Sequence, residues 1–103
     1  MLKVVSLLKR KEGMSLEEFR RWATQEHPPL GKQLNGIRAY RMSVVRDGTP
    51  DGPFDAVSEF WFDSQEARDA AFDTELGRGI VADALSHCSA RVHLLTDETI
   101  LIP

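Results

Sequence analysis

The chain has 103 residues, 28% charged and 42% hydrophobic, with a formal net charge of −3. That length sets a single domain over residues 1–103, and the acidic balance excludes a broad nucleic-acid-binding face. The lone cysteine, Cys88, excludes an internal disulfide and suits a reducing, cytoplasmic setting, and no apolar run approaches the ~20 residues of a membrane span.

Residues 2–9, LKVVSLLK, are rich in branched apolar side chains and predict a first strand. Ser15 and Glu18 then have the spacing of a capping box. Leu16, Phe19, Ala23, His27 and Leu30 follow at intervals of three and four, which is one face of a helix. Pro28 and Pro29 must kink or loosen that helix at His27, because proline lacks a backbone donor and disfavours the α conformation of the residue before it. Asn35-Gly36 punctuates, and residues 37–46 predict a second strand. Residues 47–55 are dense in turn formers and predict a mobile loop that borders a pocket mouth or a subunit contact.

The pattern then repeats. Residues 56–62, AVSEFWF, predict a third strand, and Asp63 with Glu66 predicts a second capping box opening a helix to about Leu76. Residues 77–79, GRG, interrupt it, and Ile80 to Ser86 add a further helical turn. Residues 90–101 predict a fourth strand and an apolar tail. A βαββαβ order implies a ferredoxin-like α+β fold, with a four-stranded antiparallel sheet and both helical segments on one face.

The other face of that sheet is also apolar. Val5 and Leu7 oppose Val4 and Leu8, and Val57 and Trp61 oppose Phe60 and Phe62. A second subunit is the simplest cover, so the expectation is a homodimer. Glu59 interrupts the third strand on the dimer side, with Arg41 or Arg91 as candidate partners.

His27 and Tyr40 are the candidate catalytic residues. An imidazole beside a gap in a broken helix suits acid–base chemistry, and it equally suits a hydrogen bond to a carbonyl at a helix end. With no carboxylate neighbour, burial would lower its pKa and leave a neutral base. Tyr40, the only tyrosine, either orients a substrate oxygen or packs in the core with its hydroxyl at the edge. Helical and strand periodicity place Phe19, Ala23, Leu30, Phe60 and Phe62 on the pocket side. No ligand-type residues recur at metal spacing, so no metal is expected. Cys88 with His93 is the one nucleophile pair on offer. A phosphate loop is absent: GRG lacks the rest of that fingerprint.

Three runs, LLKRKEGMSLEEFRRWATQEHPPLG, GIRAYRM and SEFWFDSQEA, resemble the EthD-like family of the dimeric α+β barrel superfamily. The resemblance covers about residues 2–75 and implies a ferredoxin-like monomer whose sheet pairs with another to close a barrel. Members include an accessory protein of ether-degradation operons, lactone isomerases and polyketide-processing enzymes, generally without metal or organic cofactor. In the methylmuconolactone isomerase branch a helix histidine and a strand tyrosine serve the site, matching His27 and Tyr40. That branch also uses a third-strand cysteine where this chain has Phe60. Many members carry a tryptophan one turn before the histidine; Ala23 stands there, with Trp22, a candidate pocket residue, shifted by one, which enlarges or reshapes the pocket. The resemblance thus implies a cofactor-free isomerase or lyase acting on a small, mostly apolar carbonyl compound, or a non-catalytic accessory protein holding a hydrophobic ligand in the same pocket.

Overall fold

A computed structural model describes all 103 residues. Its sheet comprises β1 (Leu2–Arg10), β2 (Ala39–Val44), β3 (Ala56–Phe62) and β4 (Cys88–Asp97). The spatial order is β2-β3-β1-β4, with every pair antiparallel. Direct pairs share a face, so Val4, Ser6 and Leu8 on β1 lie with Phe60, Ser58 and Ala56 on β3, toward the helices. This is the ferredoxin-like α+β fold that the βαββαβ order predicts.

Between β1 and β2 lie α1 (Leu16–Arg21), a π-helical turn (Trp22–Glu26) and α2 (Pro28–Gly31). The Ser15 hydroxyl accepts the Glu18 amide at 3.1 Å and starts α1. The His27 amide donates to the Trp22 carbonyl at 2.8 Å, five residues back. Pro28 and Pro29 have no amide to continue the α ladder, and the turn before them widens instead. Residues five apart in an α-helix point about 140° away from each other. Closing the turn over five residues puts Trp22 and His27 on one side, with ring centroids 4.7 Å apart. The prolines themselves sit in the first turn of α2, where a missing donor costs nothing.

The second helical region departs from expectation at both of its punctuation marks. Ser64, not Asp63, caps α3 (Gln65–Phe72), its hydroxyl accepting the Ala67 amide at 3.1 Å. Asp63 instead holds Arg38 in a two-pronged ion pair, 2.7 and 3.1 Å. The break falls at Asp73–Thr74 rather than at 77–79, because the Thr74 hydroxyl accepts the Gly77 amide at 3.0 Å and opens α4 (Glu75–His87). Both glycines of GRG lie inside α4. A Cβ on Gly77 would stand 2.5 Å from the Phe72 backbone, so this glycine lets the two helices meet rather than ending one.

The core lies between sheet and helices in two clusters. One gathers Val4, Leu34, Phe60, Phe62, Ala71 and Ile80; the other gathers Leu8, Phe19, Trp22, Ala23, Ala56 and Ala84. The opposite sheet face carries Val5, Leu7, Val57, Val92 and Leu94, with Val92 38% and Leu94 45% exposed. Trp61, on that same face, lies under the Lys3 ammonium at 5.1 Å and the Arg41 guanidinium at 4.9 Å. Glu59 pairs with Lys3 at 2.7 Å. Neither Arg41 nor Arg91 is its partner; Arg91 lies on the helix-facing side, beside Leu8. No helix is long and apolar enough to cross a membrane.

The 47–55 loop is tied down at three points. Asp47 pairs with Arg20 at 2.9 Å and Asp51 with Lys9 at 2.6 Å, while buried Asp55 accepts the Arg10 amide at 2.9 Å. It contributes nothing to the lining of the inner cavity.

Candidate functional site

The two core clusters are parted by a row of small polar residues. Ser6 on β1 pairs directly with Ser58 on β3, and both point at the helices. Neighbouring rows fill the same space with Val4 and Phe60 or Leu8 and Ala56. Two serines leave it open, and a cavity of about 40 Å³ results. Its floor is Ser6, Leu8, Ser58, Phe60, Tyr40, Met42 and Arg91; its roof is His27, Ile37, Phe72, Ile80, Val81 and Ala84. Such a space holds about three waters.

His27 is 6% exposed. Its Nδ1 lies 2.7 Å from Asp83 Oδ2 on α4, and Trp22 Nε1 donates to the same oxygen at 3.1 Å. A carboxylate only accepts, so Nδ1 carries the proton and Nε2 is the nitrogen left for the cavity. The expectation of an isolated imidazole is therefore corrected: the π-helical turn aims both Trp22 and His27 at one carboxylate. Trp22 also stacks on His87 at 4.7 Å, and His87 Nδ1 donates to the Asp83 carbonyl at 2.8 Å. Asp83 thus anchors His27 through its side chain and His87 through its backbone.

Tyr40 reaches the same cavity from β2. Its ring packs edge-on against Phe60 and close over Gly31, where a Cβ would come within 2.8 Å of Cε2. Burial alone pushes its pKa up to about 12, so the hydroxyl is a proton donor at neutral pH. Tyr40 also borders an outer cleft of about 240 Å³ with Thr24, Pro28, Lys32, Arg41 and Met42.

The structure brings His27, Tyr40 and Phe60 together around the cavity. Phe19, Trp22, Ala23, Leu30 and Phe62 lie elsewhere. Phe19, Trp22 and Ala23 pack solidly in one core cluster, while Phe62 and partly buried Leu30 belong to the other. Periodicity locates the side of an element that faces the core; it does not say where the core is left unfilled.

A second polar group sits at the β4 end of the cavity. His93 Nδ1 lies 2.7 Å from Ser6 Oγ and 3.0 Å from Arg91 Nη2, and its Nε2 lies 2.7 Å from Arg68 Nη2. Burial, then the two guanidiniums, pushes the His93 pKa down to about 4. These contacts occupy His93, and burial raises the Cys88 thiol to about 11, so Cys88 and His93 do not form a nucleophile pair. No three His, Cys, Asp or Glu side chains converge as metal ligands would.

Fold and site together define a ferredoxin-like α+β protein with a histidine–carboxylate pair beside a small cavity. The sequence model of the EthD domain matches residues 11–86, and the chain belongs to the EthD family. Among solved structures it is similar to an EthD family protein of Bacillus halodurans C-125 (20% identity, 96% of this chain and 99% of the other, TM-score 0.81). It is also similar to a dimeric ferredoxin-like protein of Thermobifida fusca YX (14%, 92% and 88%, 0.73). A third likeness is to a variant of SnoaB, a cofactor-independent oxygenase of Streptomyces nogalater (12%, 98% and 97%, 0.72). At these identities the likenesses establish the fold. No curated protein sequence matches the chain.

Proposed function

We propose that the chain is a cofactor-independent enzyme, an isomerase or lyase, that moves a proton on a small carbonyl compound. The observation that carries this reading is the arrangement of His27: its Nδ1 is held by Asp83, which leaves Nε2 free, and His27 and Tyr40 line the same cavity. Nε2 takes a proton from the carbon next to the substrate carbonyl. Asp83 stabilises the imidazolium that forms, and the Tyr40 O–H donates to the enolate oxygen. Return of the proton to another carbon completes an isomerisation.

The protein works as a homodimer closed over its open sheet face. The exposed Val92 and Leu94, with the apolar tail Ile100–Ile102, support that pairing, as does the dimeric description of the Thermobifida relative.

The test is proton exchange in D2O, followed by NMR on a panel of small lactones and 1,3-dicarbonyl compounds. Exchange above buffer is expected, falling by about 10²–10⁴-fold in His27→Ala and about 10²-fold or more in Tyr40→Phe. Exchange that survives His27→Ala refutes the assignment. Ligand binding that weakens in His27→Ala, with no exchange in either protein, favours the accessory reading.

A further inference from the structure

We propose that the cavity takes its ligand as an acid, with the Arg91 guanidinium and the Ser6 hydroxyl holding a carboxylate at the β4 end. This rests on the reading of the cavity as a substrate site and names the class of substrate it receives.

Arg91 lines the cavity and makes no ion pair within the fold. Its own burial and then the like charge of Arg68 disfavour its guanidinium, against a smaller favourable influence of Cys88. Its side-chain contact is Nη2 to His93 Nδ1, 3.0 Å, and that contact conflicts with the others His93 makes. Arg68 Nη2 can only donate, so His93 Nε2 must accept at 2.7 Å. Neutral imidazole then carries its proton on Nδ1, which donates to Ser6 Oγ at 2.7 Å. Arg91 Nη2 therefore faces an N–H and has nothing to give its hydrogen to. Ser6, 4% exposed and lining the cavity, accepts from His93 and retains its own O–H.

Two donors without acceptors, one of them cationic, form half of a carboxylate site. Leaving a half-buried guanidinium without a counter-charge carries a cost, and an anionic ligand removes it. Arg68 adds charge to the same corner, and its buried Nε has no partner. His93, held neutral with its pKa near 4, passes on the orientation but no counter-charge.

The outer cleft beside Tyr40 carries Lys32 on its rim; Arg41 also borders it but turns its guanidinium to Trp61 on the open sheet face.

Acetate and its uncharged isostere acetamide test this, with the Arg91 Nε–Hε signal followed by NMR. Acetate should shift that signal saturably and bind at least tenfold tighter than acetamide. Arg91→Gln should lose the preference, and Arg91→Lys, which keeps the charge and controls for folding, should retain it within about threefold. His27→Ala should leave acetate affinity within about threefold, so failure of the proton-transfer reading would not disturb this result. Equal binding of both probes, or acetate binding that survives Arg91→Gln, overturns the acid site without touching the role of His27.

Discussion

Asp83→Ala should be the most informative single substitution in the protein. It removes the acceptor for two buried donors, His27 Nδ1 at 2.7 Å and Trp22 Nε1 at 3.1 Å. His27 is 6% and Trp22 2% exposed, so neither donor finds bulk water when the carboxylate leaves. An unsatisfied buried donor costs about 1–3 kcal/mol. The Asp83 side chain is itself 27% exposed, so water reaches part of the vacated space and the lower end applies. The expected loss is about 2–3 kcal/mol for the two donors together, or on the order of 10–20 °C in Tm for a domain of this length. Asp83→Asn keeps one acceptor oxygen and should lose about half as much. Urea unfolding followed by tryptophan fluorescence, at one fixed protein concentration because a dimer's stability depends on it, measures both. A loss below about 0.5 kcal/mol in Asp83→Ala, with unchanged denaturant sensitivity, would refute the claim that one carboxylate holds both rings.

Gly77→Ala should destabilise by about 1–3 kcal/mol through its 2.5 Å approach to the Phe72 backbone; helix propensity alone predicts a gain of about 1 kcal/mol, so a rise in Tm would contradict the packing. Tyr40 should ionise only near pH 12, and since it is the only tyrosine, absorbance at tyrosinate wavelengths reports it directly. Its raised pKa contributes stability that is full below the ordinary tyrosine value and is lost as pH rises through about 12; tyrosinate appearing at pH 10 in the folded protein would show an exposed ring. Leu94→Glu, on the open sheet face, should convert a dimer to a folded monomer in sedimentation at micromolar concentration, and an unchanged dimer would place the interface elsewhere.

β3 spans the seven residues that its apolar run predicts, because a strand apolar on both faces announces itself by composition. The break at His27 was equally readable from two prolines, but its form was not. Prolines say that the α ladder ends; whether the preceding turn tightens or widens depends on what the side chains meet, and here they meet Asp83, 56 residues away from His27. Asp83 left a signal of its own, a single acid between the buried positions Ile80 and Ala84 of one helix. GRG misled for the opposite reason. Glycine in a helix is a local liability, and only the tertiary approach of Phe72 explains why Gly77 stays there. The cavity was invisible to periodicity because it arises from what Ser6 and Ser58 fail to fill, and their adjacency is set by strand pairing across 52 residues of chain.

The central claim is that Asp83 fixes His27 with Nδ1 protonated and Nε2 turned to the cavity. Long-range ¹H–¹⁵N NMR of the imidazole reads this directly. His27 should show a protonated Nδ1 and a bare, pyridine-like Nε2, and Asp83→Asn should disturb that pattern. A His27 ring protonated on Nε2 would contradict the account.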